Sequence, residues 1–255
     1  MKVSIITTVR NGADTLPACI NSVLTQTYPD LEYIVVDGAS TDATLDVVRS
    51  FGSKIAKVIS EPDRGAYDGM NKGIAAATGD VIGILNADDL YAHPNVIVRV
   101  VETLRATGAD AAYGDLKYVD RQDMDRVVRY WRAGAYLPGR FLWGWMPPHP
   151  TFFVRRTIYH RFGTFNLNLG TAADYELMLR FIHKHGIHLC YVPEVLVWMR
   201  RGGMSNASPL NWFRGHLNDR KAWRINELKP RFYTLLLKPA RKVVQWWIFG
   251  AESGA

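Results

Sequence analysis

The chain has 255 residues, 48% hydrophobic and 22% charged, enough for one large core and ordinary for a soluble globular protein. No apolar run approaches the ~18 residues that span a bilayer, and Met1 to Ile6 run directly into a strand pattern, so neither a membrane span nor a secretory leader is expected. The formal charge of +7 is uneven: residues 208–249 hold nine Lys/Arg against Asp219 and Glu227, and the remainder is neutral. Cys19 and Cys190 lie far apart without metal-ligand spacing, which fits a reduced, cytoplasmic setting.

In chain order, Val3–Val9 reads as a strand and Arg10-Asn11-Gly12 as the turn at its end. A helix follows with Pro17 in its first turn and Leu16, Cys19, Ile20 and Val23 on one face. Tyr33–Val36 is a second strand ending in Asp37, and Asp42 caps a helix over 43–51. Ile55–Ile59 leads to Glu61-Pro62-Asp63-Arg64-Gly65 and a helix over 67–77. Val81–Leu85 is a short apolar run, buried on both faces, that stops at Asn86, Asp88 and Asp89 before Pro94 opens another helix. This alternation predicts a Rossmann-like, mostly parallel α/β sheet flanked by helices.

Beyond residue 109 the order changes. Ala109–Tyr118 and Val127–Trp131 read as strands around a polar turn, and 137–150 as an aromatic, proline-rich loop. Thr151–Val154 resumes a strand, a helix covers 172–185, and His188–Met199 is strand-like. Gly202 to Ser205 reads as a mobile stretch, and two helical segments finish the chain as a C-terminal extension.

In open α/β sheets ligands sit beyond the carboxyl ends of strands, where this chain concentrates its polar residues. Asp88 and Asp89 either cap the next helix or, as adjacent carboxylates that need a cation, hold Mg²⁺ or Mn²⁺ with a phosphorylated substrate. Asp37 is placed to accept from a ribose or base, or to hold a turn. Asp63 and Arg64 stand at the mouth of the same crevice, where Arg64 is suited to a diphosphate or is a solvated surface residue. Asn71 and Lys72 are weaker candidates. Thr171-Ala172-Ala173-Asp174 has the form of a capping box, yet a carboxylate in a first helical turn is also favoured in its charged form, as a general base requires. Glu176 lies roughly 200° around the helix from Asp174 and is not expected to face the same ligand. Trp145 and His149, with Trp143, either stack an acceptor sugar or pack in the core. The G-x-G-x-x-G fingerprint is absent after the first strand, which argues against a dehydrogenase.

Four segments, in order and suitably spaced, carry a resemblance: Ser4–Asn11, Ile34–Thr44, Asn86-Ala87-Asp88-Asp89 and Ala173–Arg180. Together they resemble family 2 of the glycosyltransferases, and Glu61–Gly73 resembles the branch that builds bacterial surface polysaccharides. The resemblance implies a GT-A fold over 1–207, with a nucleotide-sugar half over about 1–108 and an acceptor half over about 109–207. It implies a divalent cation and inverting transfer from a nucleotide-sugar donor, UDP-sugar favoured, to a glycan or lipid-linked acceptor. By position, Thr7, Thr8, Arg10 and Asp37 would surround the nucleoside, with Arg64 near the diphosphate. Asn86-Ala87-Asp88 stands at the usual Asp-x-Asp, Asp88 holding the metal, and Asp174 is the base. Two departures stand out: Asn86 for the first Asp, and Ala173 for the Glu that often precedes the base. A catalytically inactive nucleotide-sugar binding protein and a sugar-phosphate nucleotidyltransferase are the alternatives. The latter needs a longer glycine-rich loop than Arg10-Asn11-Gly12.

The extension over 208–255 reads as a basic amphipathic helical tail. Arg231, Thr234, Lys238, Arg241, Lys242 and Gln245 recur on one face, with Phe232, Leu235, Leu236, Val243, Trp246 and Trp247 elsewhere and Pro239 dividing the helix. That pattern suits peripheral attachment to an anionic inner membrane face, and alternatively a contact with a partner subunit or a helix packed on the core; no nucleic-acid-binding fold accompanies it.

Overall fold

The computed structural model describes residues 1–202, 209–235 and 237–238, with backbone alone for 209–216. Seven consecutive buried residues form β1 (Val3–Val9), and a strand buried on both faces needs helices above and below it. Strands β2 (Leu31–Asp37), β3 (Lys57–Ser60) and β4 (Val81–Ile84) join it in parallel, in the order β3-β2-β1-β4. The other five strands are β5 (Leu90–Tyr91), β6 (Ala111–Val119), β7 (Val127–Trp131), β8 (Phe153–Arg155) and β9 (Leu189–Arg200). The order continues β4-β8-β6-β9-β5, with β7 paired to β6. Here the ladder is mixed: β8 runs antiparallel to β4 and β6, β7 to β6 and β5 to β9, while β6 and β9 are parallel. The mostly parallel expectation therefore holds for the first half of the sheet and gives way in the second. The reason is local: the turn between β6 and β7 is too short for the crossover that parallel neighbours require.

Helices α1 (Leu16–Leu24), α2 (Thr44–Ser50) and α4 (Val96–Thr107) cover one face of the sheet, packing on Val3, Ile5 and Val35. Helix α3 (Ala66–Ala76) covers the other face with α6 (Ala173–Met178), which continues through a π-helical turn, Leu179–Lys184. Two elements were not anticipated, β5 and α5 (Arg156–Phe162); two and seven residues are too few for a periodic signal.

Helix α7 (Pro209–Ile225) opens the predicted extension, and its Ala222 and Trp223 belong to the core beside Tyr175. Trp223 Nε1 donates to the Tyr175 hydroxyl at 2.9 Å. Further on, the expected polar face turns partly inward. Thr234 is fully buried and donates to the Leu142 carbonyl at 2.7 Å, while Lys238 Nζ pairs with both Asp219 oxygens at 2.7 and 2.8 Å. Phe232, on the expected apolar side, is 91% exposed. Buried Asp219 and the Leu142 carbonyl need partners, and that need outweighs the helical pattern over 231–238. Residues 203–205 of the stretch expected to be mobile, the Trp212 side chain, Leu236 and the tail from Pro239, including Trp246 and Trp247, lie outside the described residues. No helix among the described residues is long and apolar enough to cross a membrane.

Candidate active site

The loops after β1 and β2 are fastened to each other. Asn11, in a left-handed conformation, accepts on its side-chain oxygen from Thr41 N at 2.8 Å and donates its own N–H to the Ser40 hydroxyl at 2.8 Å. Asp42 accepts from Thr44 N and Ala13 N, the turn-holding role its position suggested. This fastening leaves Arg10 exposed at the lip of the crevice, with no partner among the described residues. Asp37 is fully buried and accepts from Ser40 N at 3.3 and 3.2 Å and the Ser60 hydroxyl at 2.7 Å, so its carboxylate holds the turn.

Asp63 lies against the β2 end, so close that a Cβ on Gly38 would meet its Oδ2 at 2.3 Å. Thr8 faces Gly69 of α3 on that side of the sheet. Thr7 does not, because successive strand residues point to opposite faces. It is fully buried, taking the Tyr33 hydroxyl at 3.1 Å and lying 3.8 Å from Cys19 Sγ, which removes it from the crevice. Arg64 is largely exposed and pairs with Asp68 at 3.2 Å. Asn71 is also displaced from its expected role: its amide donates to the Phe165 carbonyl and accepts from Phe165 N, each at 2.9 Å. That amide is a clamp on the segment leading to Asp174.

After β4 the chain turns through Asn86, whose carbonyl accepts from Asp89 N at 3.0 Å. The Asn86 side chain donates to Asp89 Oδ2 at 2.8 Å, and Ala87 packs against the core. Asp89 is fully buried with Oδ1 unpaired, and burial together with the Asp88 charge raises its pKa well above the ordinary carboxylate value. Asp88 is half-buried with no side-chain partner among the described residues. No group of three or more His, Cys, Asp or Glu gathers among the described residues. One free carboxylate beside an orphaned buried oxygen fits Mg²⁺ or Mn²⁺, which protein sites commonly hold through one or two carboxylates plus substrate phosphates.

Asp174 stands in the first turn of α6, half-buried. Its Oδ1 accepts from Tyr175 N at 2.7 Å, and the residue at the helix N-cap, Ala172, offers no side chain, so the capping box with Thr171 is not formed. Tyr67 interacts through its hydroxyl with Asp174; burial first, and that carboxylate second, push the Tyr67 pKa well above 10. Phe165 packs on Tyr67 at 5.3 Å between ring centres and edge-on to His149 at 5.5 Å. Burial lowers the His149 pKa below 6.5, and the Asp174 carboxylate opposes that shift. Glu176 turns away, as expected, to Arg180 and Asn226. Trp145 is corrected to a core residue: it is 3% exposed, donates to the Ala133 carbonyl at 2.8 Å and packs with Tyr113, Tyr136 and Phe141. Tyr67 and Phe165 escaped sequence reasoning; only their neighbourhood in the Asp63–Asn71 run hinted at Tyr67, and Phe165 carried no signal.

The mixed sheet flanked by helices, with carboxylates at the ends of its strands, has the GT-A architecture. The family model for glycosyl transferase family 2 matches residues 4–170. A PGL/p-HBAD biosynthesis glycosyltransferase of Mycobacterium bovis is 31% identical over 208 residues, covering 80% of this chain and 78% of that protein. In structure the chain resembles S. aureus TarS 1–349 in complex with UDP-GlcNAc, with a TM-score of 0.69 at 18% identity, covering 89% of this chain and 65% of that one. It also resembles the mannosyltransferase PcManGT of Pyrobaculum calidifontis in complex with GDP-Man and Mn²⁺, with a TM-score of 0.60 at 22% identity, covering 98% of this chain and 64% of that one. The chain belongs to glycosyl transferase family 2 and is a glycosyltransferase.

Proposed function

We propose that the enzyme is a metal-dependent, inverting transferase moving a sugar from a nucleotide-sugar, a UDP-sugar first, to a hydroxyl of a glycan or lipid-linked saccharide in cell-surface polysaccharide synthesis. The carrying observation is Asp174, half-buried in the first turn of α6 with the Tyr67 hydroxyl on its carboxylate. The UDP-GlcNAc and GDP-Man of the two structural relatives support a nucleotide-sugar donor, and the mycobacterial relative's name supports a surface glycolipid or glycan product. Residues 1–108 form the donor half and 109–207 the acceptor half. Arg10, Thr8 and Asp63 line the donor crevice, with Arg64 at its rim.

Asp88 would hold the cation, which supplies charge stabilisation to a departing diphosphate. An acceptor hydroxyl is far too weak an acid to ionise at neutral pH, so a positioned base must take its proton as it attacks. Asp174 takes that proton, the hydroxyl oxygen bonds to the anomeric carbon, and the bond to the diphosphate breaks with its electron pair. Attack from the face opposite the leaving group inverts the centre. Tyr67, kept protonated by its high pKa, orients the Asp174 carboxylate, and Phe165 and His149 wall the site from water.

The test is Asp174→Asn, assayed for nucleotide-sugar binding and for transfer. Donor affinity should persist while transfer falls ~10²–10⁴-fold, the usual contribution of a general base. Transfer near the unmodified rate ends the assignment, and binding without turnover by the unmodified enzyme favours an inactive nucleotide-sugar binding protein. Peripheral attachment to an anionic membrane through 208–249 is part of the same reading. Sedimentation with anionic but not neutral vesicles supports it, and equal sedimentation with both removes it.

A further inference from the structure

A surface that meets a membrane presents basic and apolar side chains together on one outward face. The basic stripe read over 231–245 does not do so in its described part. Thr234 is buried against the Leu142 carbonyl, Lys238 is held by Asp219, and the Arg231 guanidinium donates to the Tyr233 hydroxyl at 2.6 Å. The cations that face outward lie earlier, on α7.

Helix α7 buries Asp219, Ala222, Trp223 and Asn226, which fall on one stripe at three- and four-residue spacing. Leu217, Arg220, Lys221 and Arg224 stand on the other side, and with Leu228, Lys229 and Pro230 they line a groove of about 810 Å³. Four cations, Arg220, Lys221, Arg224 and Lys229, meet there against one carboxylate, Glu227. Leu217 is 56% exposed, and Phe232, two residues past Pro230, is 91% exposed. A cation in the last turn of a helix is favoured by its dipole, which accounts for Arg224. It does not account for Lys229 past the helix end, nor for an exposed leucine and phenylalanine beside the same cations.

The groove is also tied to the helix of the candidate base. Trp223 and Asn226 join α7 to α6 through Tyr175 and Glu176. Lys221 Nζ donates at 3.1 Å to the carbonyl of Asn168, on the turn that leads into α6.

We propose that this groove of α7, with Leu217 and Phe232 beside it, docks on a lipid surface through the phosphates of anionic headgroups. This rests on the peripheral attachment of the transferase reading and moves it from the amphipathic pattern of the tail to α7. The forks of Arg220 and Arg224 match a phosphate, and the two lysines add charge without a set direction. Phe232 enters the boundary of the acyl chains while the cations stay at headgroup level. Docking here brings the helix that carries Asp174 to the surface a lipid-linked acceptor occupies.

The experiment sediments the full chain with vesicles of phosphatidylcholine containing phosphatidylglycerol, and with phosphatidylcholine alone, at constant ionic strength. The unmodified chain should bind the anionic vesicles and not the neutral ones. A basic side chain at an anionic surface contributes roughly fivefold to binding, so the triple variant Arg220→Gln, Arg224→Gln, Lys229→Gln should weaken it about tenfold or more after screening. Phe232→Ser should weaken it several-fold at equal charge. These four side chains are all exposed, so the fold does not depend on them. A second triple, Lys54→Gln, Lys57→Gln, Arg105→Gln, removes the same charge from exposed positions elsewhere and should bind as the unmodified chain does. Unchanged affinity in the α7 triple or in Phe232→Ser, or equal weakening by both triples, overturns the proposal and leaves attachment to the rest of 208–249. No binding of anionic vesicles by the unmodified chain ends the attachment reading itself, and the proposal with it.

Discussion

Glu176 stands two residues from Asp174, and replacing it separates structural from chemical carboxylates on α6. Glu176 is 2% exposed and accepts from Arg180 Nε at 2.9 Å, Arg180 Nη2 at 3.1 Å and Asn226 Nδ2 at 2.9 Å. Glu176→Gln removes the charge and places an amide N–H₂ against one of the arginine donors. Removing one partner of a buried ion pair costs ~3–5 kcal/mol, because the other charge stays buried. Arg180 keeps the carbonyls of Phe162 and Thr164, so the lower end, about 3 kcal/mol, applies. In a domain of this size each kcal/mol moves the melting temperature by ~2–4 °C, giving an expected fall of about 6–12 °C. Thermal unfolding followed by circular dichroism reads that fall, and donor affinity and turnover, measured well below the transition, should remain close to the unmodified values. A fall under about 2 °C, or lost transfer in a variant with unchanged melting, would refute the reasoning.

Asp88→Ala should abolish Mn²⁺-dependent nucleotide binding, read by titration with and without chelator; undiminished Mn²⁺-dependent binding removes Asp88 from the metal site. Gly73→Ala should cost ~1–3 kcal/mol in urea unfolding, because its Cβ would stand 2.4 Å from Ile6 Cγ2 in the fully buried centre of β1. Glu32 gives a pH prediction. Partial burial pushes its carboxyl up, but hydrogen bonds from Ser4, Thr78 and Lys2 outweigh that and hold it at about 2 rather than 4.5. The folded value is depressed, so its stabilisation is full above pH 4.5 and is lost as pH falls toward 2. Urea unfolding across that window should show the loss, and Glu32→Gln should lack that part of the slope.

The first half of the sheet was legible because its strands are continuous apolar runs punctuated by polar turns, as at Val81–Ile84 before Asn86. Strand β3 shifted to Lys57–Ser60 because it is an edge strand with Val58 46% exposed, so burial does not mark its register. Asp174 was legible as a carboxylate in a first helical turn. Its surroundings were not, since Tyr67 and His149 come to it from distant segments, with Phe165 packed on both rings. Thr7 and Thr8 illustrate the limit at single-residue scale: the motif names both, and only the alternation of the strand sends one to the crevice and the other to Tyr33 and Cys19. Trp145 was ambiguous because a tryptophan on a loop serves sugar or core equally well; the Ala133 carbonyl settles it in the core.

The pair of hydrogen bonds between Asn71 and Phe165 has a mechanical consequence. It joins residues 94 apart in the chain, and it does so on α3, the same helix whose approach segment carries Asp63 and Arg64. The segment that leads to Asp174 is therefore riveted to α3, and parting the two requires breaking both bonds. On the transferase reading, a gap held in this way would sort acceptors by width. Asn71→Ala removes the rivet, and it should broaden the range of acceptors used while lowering the rate with each.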